Sequence, residues 1–166
     1  MDNIILVGMP GAGKSTLGVL LAKATGKLFV DTDIIIQQKT KRLLQDIIDN
    51  DGTDAFLNLE EEILLSVNEE NTVIATGGSA VYSEKAMEHF RKSGKIVYLH
   101  VDFAEIEKRV TNITTRGIVL KNGKSLADAF VERKPLYDKY ADVVVDCTGN
   151  SVEESVCRVK KCIDSL

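Results

Sequence analysis

Gly8-Met9-Pro10-Gly11-Ala12-Gly13-Lys14-Ser15, followed by Thr16, sets glycines, a lysine and a hydroxyl at the spacing GxxxxGK[ST]. Those residue types in that order suit the binding of phosphate. Glycines let the backbone curl around phosphate oxygens, while peptide N–H groups and the positive end of a following helix face them. Lys14 would reach the β- and γ-phosphates of ATP, and the Ser15 hydroxyl would ligate Mg²⁺. Gly11, Ala12, Gly13 and Thr16 complete the expected ATP cradle. The motif follows an apolar run, Ile4 to Val7, and opens a helical pattern, which is the setting it requires. It points to a nucleotide without fixing a reaction. With no NKxD stretch to read guanine, and too short a chain for most motor ATPases, the expectation is a small ATP-dependent kinase.

Asp31-Thr32-Asp33 stands at the end of the second apparent strand, and ligands gather at the carboxyl ends of strands in open parallel sheets. Two carboxylates two residues apart in an extended segment share a face, so one could organise Mg²⁺ while the other accepts a substrate hydroxyl. The competing assignment is a helix cap, because Asp33 precedes the apolar run Ile34 to Ile36. Thr76-Gly77-Gly78-Ser79 follows the third strand, and paired glycines there would let a ligand approach the backbone.

Arg116 lies in a long irregular stretch, 111–124, of the kind that forms lids. From a closed lid it could neutralise charge developing on a transferring phosphoryl group. Arg133, in Glu132-Arg133-Lys134-Pro135-Leu136-Tyr137, could pair bidentately with an anionic group of the substrate. For Arg109, Arg116 and Arg133 alike the alternative is a solvated surface charge. His89 and His100 lack metal-ligand spacing and are expected to be structural or solvated.

These residues need a scaffold, and the pattern supplies one. Ile4 to Val7, Leu28 to Val30, Thr72 to Ala75, Ile96 to Val101 and Val143 to Val145 read as strands. Between them apolar residues recur at helical spacing, as in Leu17, Leu20, Leu21 and Ala24, then Leu43, Leu44, Ile47 and Ile48. That βαβ rhythm predicts a parallel sheet covered on both faces. Gly26 and Gly94 read as helix stops, and Ser151 with Glu154 as a capping box opening the last helix.

The chain has 166 residues, 44% of them hydrophobic and 28% charged, as expected of one globular domain spanning 1–166. Its net charge of −4 disfavours broad electrostatic binding to nucleic acid. Cys147, Cys157 and Cys162 have no paired CxxC spacing and are expected to be reduced packing residues. No apolar run is long enough to span a membrane and no secretory signal opens the chain, so the expectation is a cytoplasmic protein.

The combination of GMPGAGKST, DTD, a Gly-Gly loop after strand three, an arginine in a lid-like segment and ERKPLYDKYAD resembles the shikimate kinase family over nearly the whole chain. That resemblance implies a P-loop three-layer α/β sandwich with a five-stranded parallel sheet of order 2-3-1-4-5 and a mobile lid at about 111–124. It also implies a substrate-binding region at about 33–62, and a monomer that uses ATP and Mg²⁺ to phosphorylate one hydroxyl of shikimate. Carried over by position, it puts Lys14 on phosphate, Ser15 on Mg²⁺ and Asp31 near the metal. Asp33 would hold the acceptor hydroxyl, beside Gly77, Gly78 and Ser79. Arg109 would lie beside adenine, Arg116 would be the lid arginine, and Arg133 would grip the substrate carboxylate.

The chain departs from the family pattern at two positions. Leu57, in Phe56-Leu57-Asn58-Leu59-Glu60, stands where the FRxxE motif has arginine, and Ser79 replaces the third glycine of a GGG loop. A charge-assisted bond is worth roughly 1.5 to 3 kcal/mol, so an uncompensated loss would weaken shikimate binding about tenfold to a hundredfold. Both changes fall on the acceptor half. They leave open a kinase of a different small hydroxylated compound, a nucleotide-binding regulatory protein, or a nucleoside monophosphate kinase.

Overall fold

β1 (Asn3–Val7) is buried at every position, so it has to lie in the middle of a sheet covered on both faces. The computed structural model describes residues 2–110, 117–121 and 123–165 and places β1 there. β1 pairs in parallel with β3 (Thr72–Ala75) on one edge and with β4 (Gly94–His100) on the other. β2 (Leu28–Asp31) and β5 (Val143–Asp146) complete the order β2-β3-β1-β4-β5. That is the expected parallel order. The two outer strands carry exposed apolar residues, Leu28 and Val144, because one edge of each faces solvent. The order also brings the chain reversals after β1, β2 and β3 to one end of the sheet, next to one another.

Helices alternate with the strands. α1 (Lys14–Thr25) follows β1, and α2 (Thr32–Thr40), α3 (Leu44–Asp51) and α4 (Thr53–Ser66) separate β2 from β3. A 3₁₀ turn (Ala80–Tyr82) and α5 (Glu84–Ser93) lead to β4, then α6 (Phe103–Val110) and α7 (Leu126–Tyr140) lead to β5, and α8 (Val152–Asp164) closes the fold. The Ser151–Glu154 capping box starts α8 as expected. A second one, Ser125 with Asp128, starts α7 and was not anticipated. Gly26 ends α1 in the left-handed conformation that glycine permits. Gly94 ends α5 in extended backbone and is already the first residue of β4.

The buried face of α1 differs from the expected one. Leu17 and Leu21 point inward, but Leu20 and Ala24 are exposed, and Gly18 and Ala22 take their places. The helix lies too close to β2 for a larger residue, since a Cβ on Gly18 would sit 2.6 Å from the ring of Phe29. Among the cysteines, Cys147 packs in the core, whereas Cys157 is exposed on α8 rather than a packing residue.

The apolar interior has two parts. The larger surrounds the sheet. The smaller gathers Ile36, Leu44, Ile47, Phe56 and Ile63 from α2, α3 and α4 around Val119. The segment 117–121 is thereby pinned beside α3, with Gly117 against Leu44. Lys121, at the end of that segment, pairs with Glu132 of α7, as does Lys124 just before the helix.

Candidate active site

α1 begins without a side-chain cap. Gly13 occupies the cap position in left-handed backbone, with φ of 90°, so the first amides of the helix face the loop with no side chain in front of them. An anion fits there. Lys14 is buried and curls back to donate from Nζ to the carbonyls of Gly8, at 2.7 Å, and Met9, at 2.9 Å. One ammonium thereby closes the loop on itself. In the first turn the Ser15 hydroxyl donates to Asp31 Oδ2 at 2.6 Å.

Asp31 settles the question of the α2 cap. Its Oδ1 accepts from the N–H groups of Asp33 and Ile34, at 3.0 and 3.4 Å, so Asp31 is the cap and Asp33 lies within the first helical turn. Asp31 and Asp33 therefore do not share a face of one extended segment, because the chain turns helical at Thr32. Both carboxylates still line one cleft, brought there by the strand end and the first turn of α2.

On the far side of that cleft α4 presents Phe56, Glu60, Ile63 and Leu64 as its buried stripe. Glu60, only 2% exposed, accepts from the Ser79 hydroxyl at Oε2, at 2.6 Å. Its Oε1 is buried with no hydrogen-bond partner among the described residues. Burial pushes this carboxyl up to about 7. The Ser79 bond opposes the rise, the Asp33 charge adds to it, and Arg133 and Lys14 oppose it. Sequence reasoning gave Glu60 no task. The available signal was a charged residue one turn after Phe56 on an apolar helix stripe.

Gly77 and Gly78 serve different neighbours. A Cβ on Gly77 would lie 2.4 Å from Glu60 Oε1 and 2.9 Å from Asp33 Oδ1, so both oxygens crowd the same point over its backbone. A Cβ on Gly78 would lie 2.6 Å from Pro10, so this glycine, which also lines the cleft, is a seam between two loops. Tyr137 steadies the seam, donating from its hydroxyl to the Gly78 carbonyl at 2.6 Å.

Arg133 is not a surface charge. It is 1% exposed, and it donates from Nε to the Tyr82 hydroxyl at 3.2 Å and from Nη2 to the Val119 carbonyl. The guanidinium lines the cleft and holds the 117–121 segment as well. Arg109 sits at the opposite end, donating to the Gly11 carbonyl at 3.1 Å and paired with Glu105. Beside it a small hollow is lined by Ala12, Leu17, Cys147 and Val152. Arg116 lies outside the described residues. Of the histidines, His89 bonds the Val67 carbonyl and His100 lies between Tyr98 and Asp102.

The cleft has a volume of about 490 Å³. Gly11, Gly13, Lys14, Ser15, Thr16 and Arg109 bound one end, and Asp33, Gly77, Gly78, Ser79 and Arg133 the other. Ala12, also expected in the cradle, lines the hollow beside Arg109. Leu57 does not line the cleft and packs instead against the smaller apolar cluster. Two hard oxygen donors in contact, from Ser15 and Asp31, fit Mg²⁺, which needs few protein ligands when phosphates and water supply the rest.

A family model described as shikimate kinase matches residues 10–164. A shikimate kinase of Francisella tularensis subsp. novicida is 34% identical over 161 residues, spanning 95% of this chain and 92% of that protein. One from Clostridium botulinum is 33% identical over 165 residues, spanning 98% and 97%. Among solved structures, shikimate kinase from Acinetobacter baumannii in complex with shikimate superposes with a TM-score of 0.90 at 28% identity, covering 99% of this chain and 94% of that one.

Proposed function

Because this chain belongs to the shikimate kinase family, a family of small-molecule kinases, we propose that it transfers the γ-phosphoryl group of ATP to a hydroxyl of shikimate. The observation that carries this reading is the two-ended cleft. A phosphate cradle occupies one end, and a carboxylate with a buried guanidinium occupies the other.

The chemistry asks mainly for alignment and charge neutralisation. ATP lays its phosphates against the loop amides and the first turn of α1. Lys14 exchanges the Gly8 and Met9 carbonyls for phosphate oxygens. Arg109 lies against the adenine, beside the hollow near Cys147. Ser15 and Asp31 hold Mg²⁺, which when bound neutralises charge on the β- and γ-phosphates.

At the other end Arg133 takes the shikimate carboxylate, and Gly77, Gly78 and Ser79 line the pocket. Asp33 receives the proton of the acceptor hydroxyl as its oxygen bonds to phosphorus, while the bond to the leaving ADP oxygen breaks. Arg116 is assigned, on the resemblance alone, to the charge that develops on the transferring group. The 111–124 stretch is taken as the lid and 33–62 as the acceptor-binding region. Among the described residues no helix is long and apolar enough to cross a membrane. The enzyme works as a cytoplasmic monomer on a small anionic acceptor, without nucleic acid.

A coupled ADP-release assay tests this, with shikimate and a panel of small hydroxy acids, amino-acid alcohols and nucleoside monophosphates. Shikimate is expected to stimulate ADP release more than any other compound in the panel. Preference for another acceptor overturns the substrate, and tight ATP binding with no stimulation by any acceptor overturns the kinase reading.

A further inference from the structure

We propose that Tyr82 is the positioning residue for Arg133, its hydroxyl and ring holding the guanidinium in the pose that meets the acceptor carboxylate. The inference deepens the shikimate reading and rests on it.

Leu57 stands where the family pattern has a second arginine, so the grip on the carboxylate rests on Arg133. A single guanidinium grips in a fork only if its plane is fixed. Tyr82 supplies that constraint from the 3₁₀ turn that follows Ser79. Arg133 donates from Nε to the Tyr82 hydroxyl at 3.2 Å, and its Cζ lies 5.2 Å from the centre of the same ring, within reach of cation–π attraction. Nη2 donates to the Val119 carbonyl. Nε and one Nη2 proton therefore belong to the protein, and the Nη end of the fork is left for an anion in the cleft that Arg133 lines. Tyr82 does not line the cleft, so it acts through Arg133 rather than on the acceptor.

The tyrosine is held in turn. Lys121 Nζ lies 4.6 Å from the centre of its ring, and Lys121 also pairs with Glu132. The Glu132 carboxyl, kept well below its usual range by Lys124 and next by the Tyr82 hydroxyl, gives the proton of that hydroxyl a partner. An oxygen lone pair is thereby left facing Arg133 Nε. Phenylalanine would keep the ring and its contacts with Lys121 and Arg133 while removing only the hydroxyl.

The test measures kcat and KM for shikimate and for ATP in the wild type, Tyr82→Phe, Arg133→Ala and the double variant. It repeats kcat/KM with the methyl ester of shikimate, which lacks the carboxylate charge. In Tyr82→Phe, KM for shikimate is expected to rise about tenfold, with kcat and KM for ATP changing by less than about twofold. Because the effect passes through Arg133 to a carboxylate, Tyr82→Phe is expected to leave kcat/KM for the ester nearly unchanged and to add little to the loss in Arg133→Ala. A purely structural tyrosine would lower kcat/KM for shikimate and its ester alike, and would multiply the Arg133→Ala loss. Either result overturns the inference, as does a KM for shikimate that Tyr82→Phe leaves unchanged or lowers. Wild-type enzyme that shikimate does not stimulate overturns the underlying reading and the inference together.

Discussion

The hydroxyl of Ser15 donates to one oxygen of Asp31 at 2.6 Å, while the other oxygen of the same carboxylate caps α2 through the N–H groups of Asp33 and Ile34. The cradle and the acceptor-side helix are therefore tied through one side chain. Asparagine caps helices as well as aspartate does, whereas alanine does not. Asp31→Asn should keep its stability yet raise the Mg²⁺ concentration for half-maximal activity by about tenfold. Asp31→Ala should show the same metal defect and also lose about 1 kcal/mol of stability. Mg²⁺ titrations beside urea unfolding check both, and an unchanged Mg²⁺ dependence in the two variants contradicts the metal role.

Arg133 has two roles. Truncation to alanine strands the buried Val119 carbonyl and takes one partner from the Tyr82 hydroxyl, at a cost of about 1 to 3 kcal/mol. It also removes the proposed partner of the substrate carboxylate, so KM for shikimate should rise about tenfold to a hundredfold with little change in KM for ATP. Steady-state kinetics and thermal unfolding separate the two losses. Equal increases in both KM values would argue for a purely structural residue.

Gly78 faces Pro10 with no room for a methyl group, since a Cβ there would stand 2.6 Å from the proline ring. Gly78→Ala must push apart the phosphate loop and the loop after β3. KM for ATP and KM for shikimate should both rise, each by about tenfold, because neither loop can keep its place. An effect confined to one substrate would show that the loops move independently.

Glu60 links stability to pH. Its carboxyl titrates at about 7 in the fold against 4.5 for an ordinary glutamate. The folded state therefore holds that proton more tightly than the unfolded chain does. Its contribution is complete below the ordinary value, and it shrinks as pH rises toward 7 by up to roughly 1.4 kcal/mol per unit. Glu60→Gln lacks this loss. Urea midpoints at about pH 5 and about pH 8 should fall further for the wild type than for the variant, by roughly 2 to 4 kcal/mol in unfolding free energy. Parallel falls would mean that Glu60 is ionised throughout.

Much of the fold was legible because its signals are local. Buried parallel strands read as apolar runs, and the GxxxxGK[ST] spacing dictates both a turn and a helix start. The face of α1 was not legible, because it depends on how closely the helix approaches Phe29, which is a tertiary distance. Lys14, Ser15, Asp31, Asp33, Arg109 and Arg133 all line one cleft, which helical and strand patterns could not show by themselves. The identity of the α2 cap depended on where the strand gave way to the helix, a boundary that pattern alone places only approximately. Glu60 went unassigned because its meaning comes from Ser79 and Asp33, distant in sequence and joined to it only by the fold.

The most direct test follows phosphorus. Wild-type protein, Lys14→Ala and Asp33→Asn would each be incubated with ATP, Mg²⁺ and shikimate, and the products resolved by phosphorus NMR. The wild type should convert the γ-phosphate of ATP into a phosphate ester of shikimate. Lys14→Ala should slow this by at least about 10²- to 10³-fold, and Asp33→Asn by about 10²- to 10⁴-fold, with ATP affinity nearly kept in the latter. ATP bound tightly with no ester formed, or an ester formed at the wild-type rate by Lys14→Ala, would contradict the account.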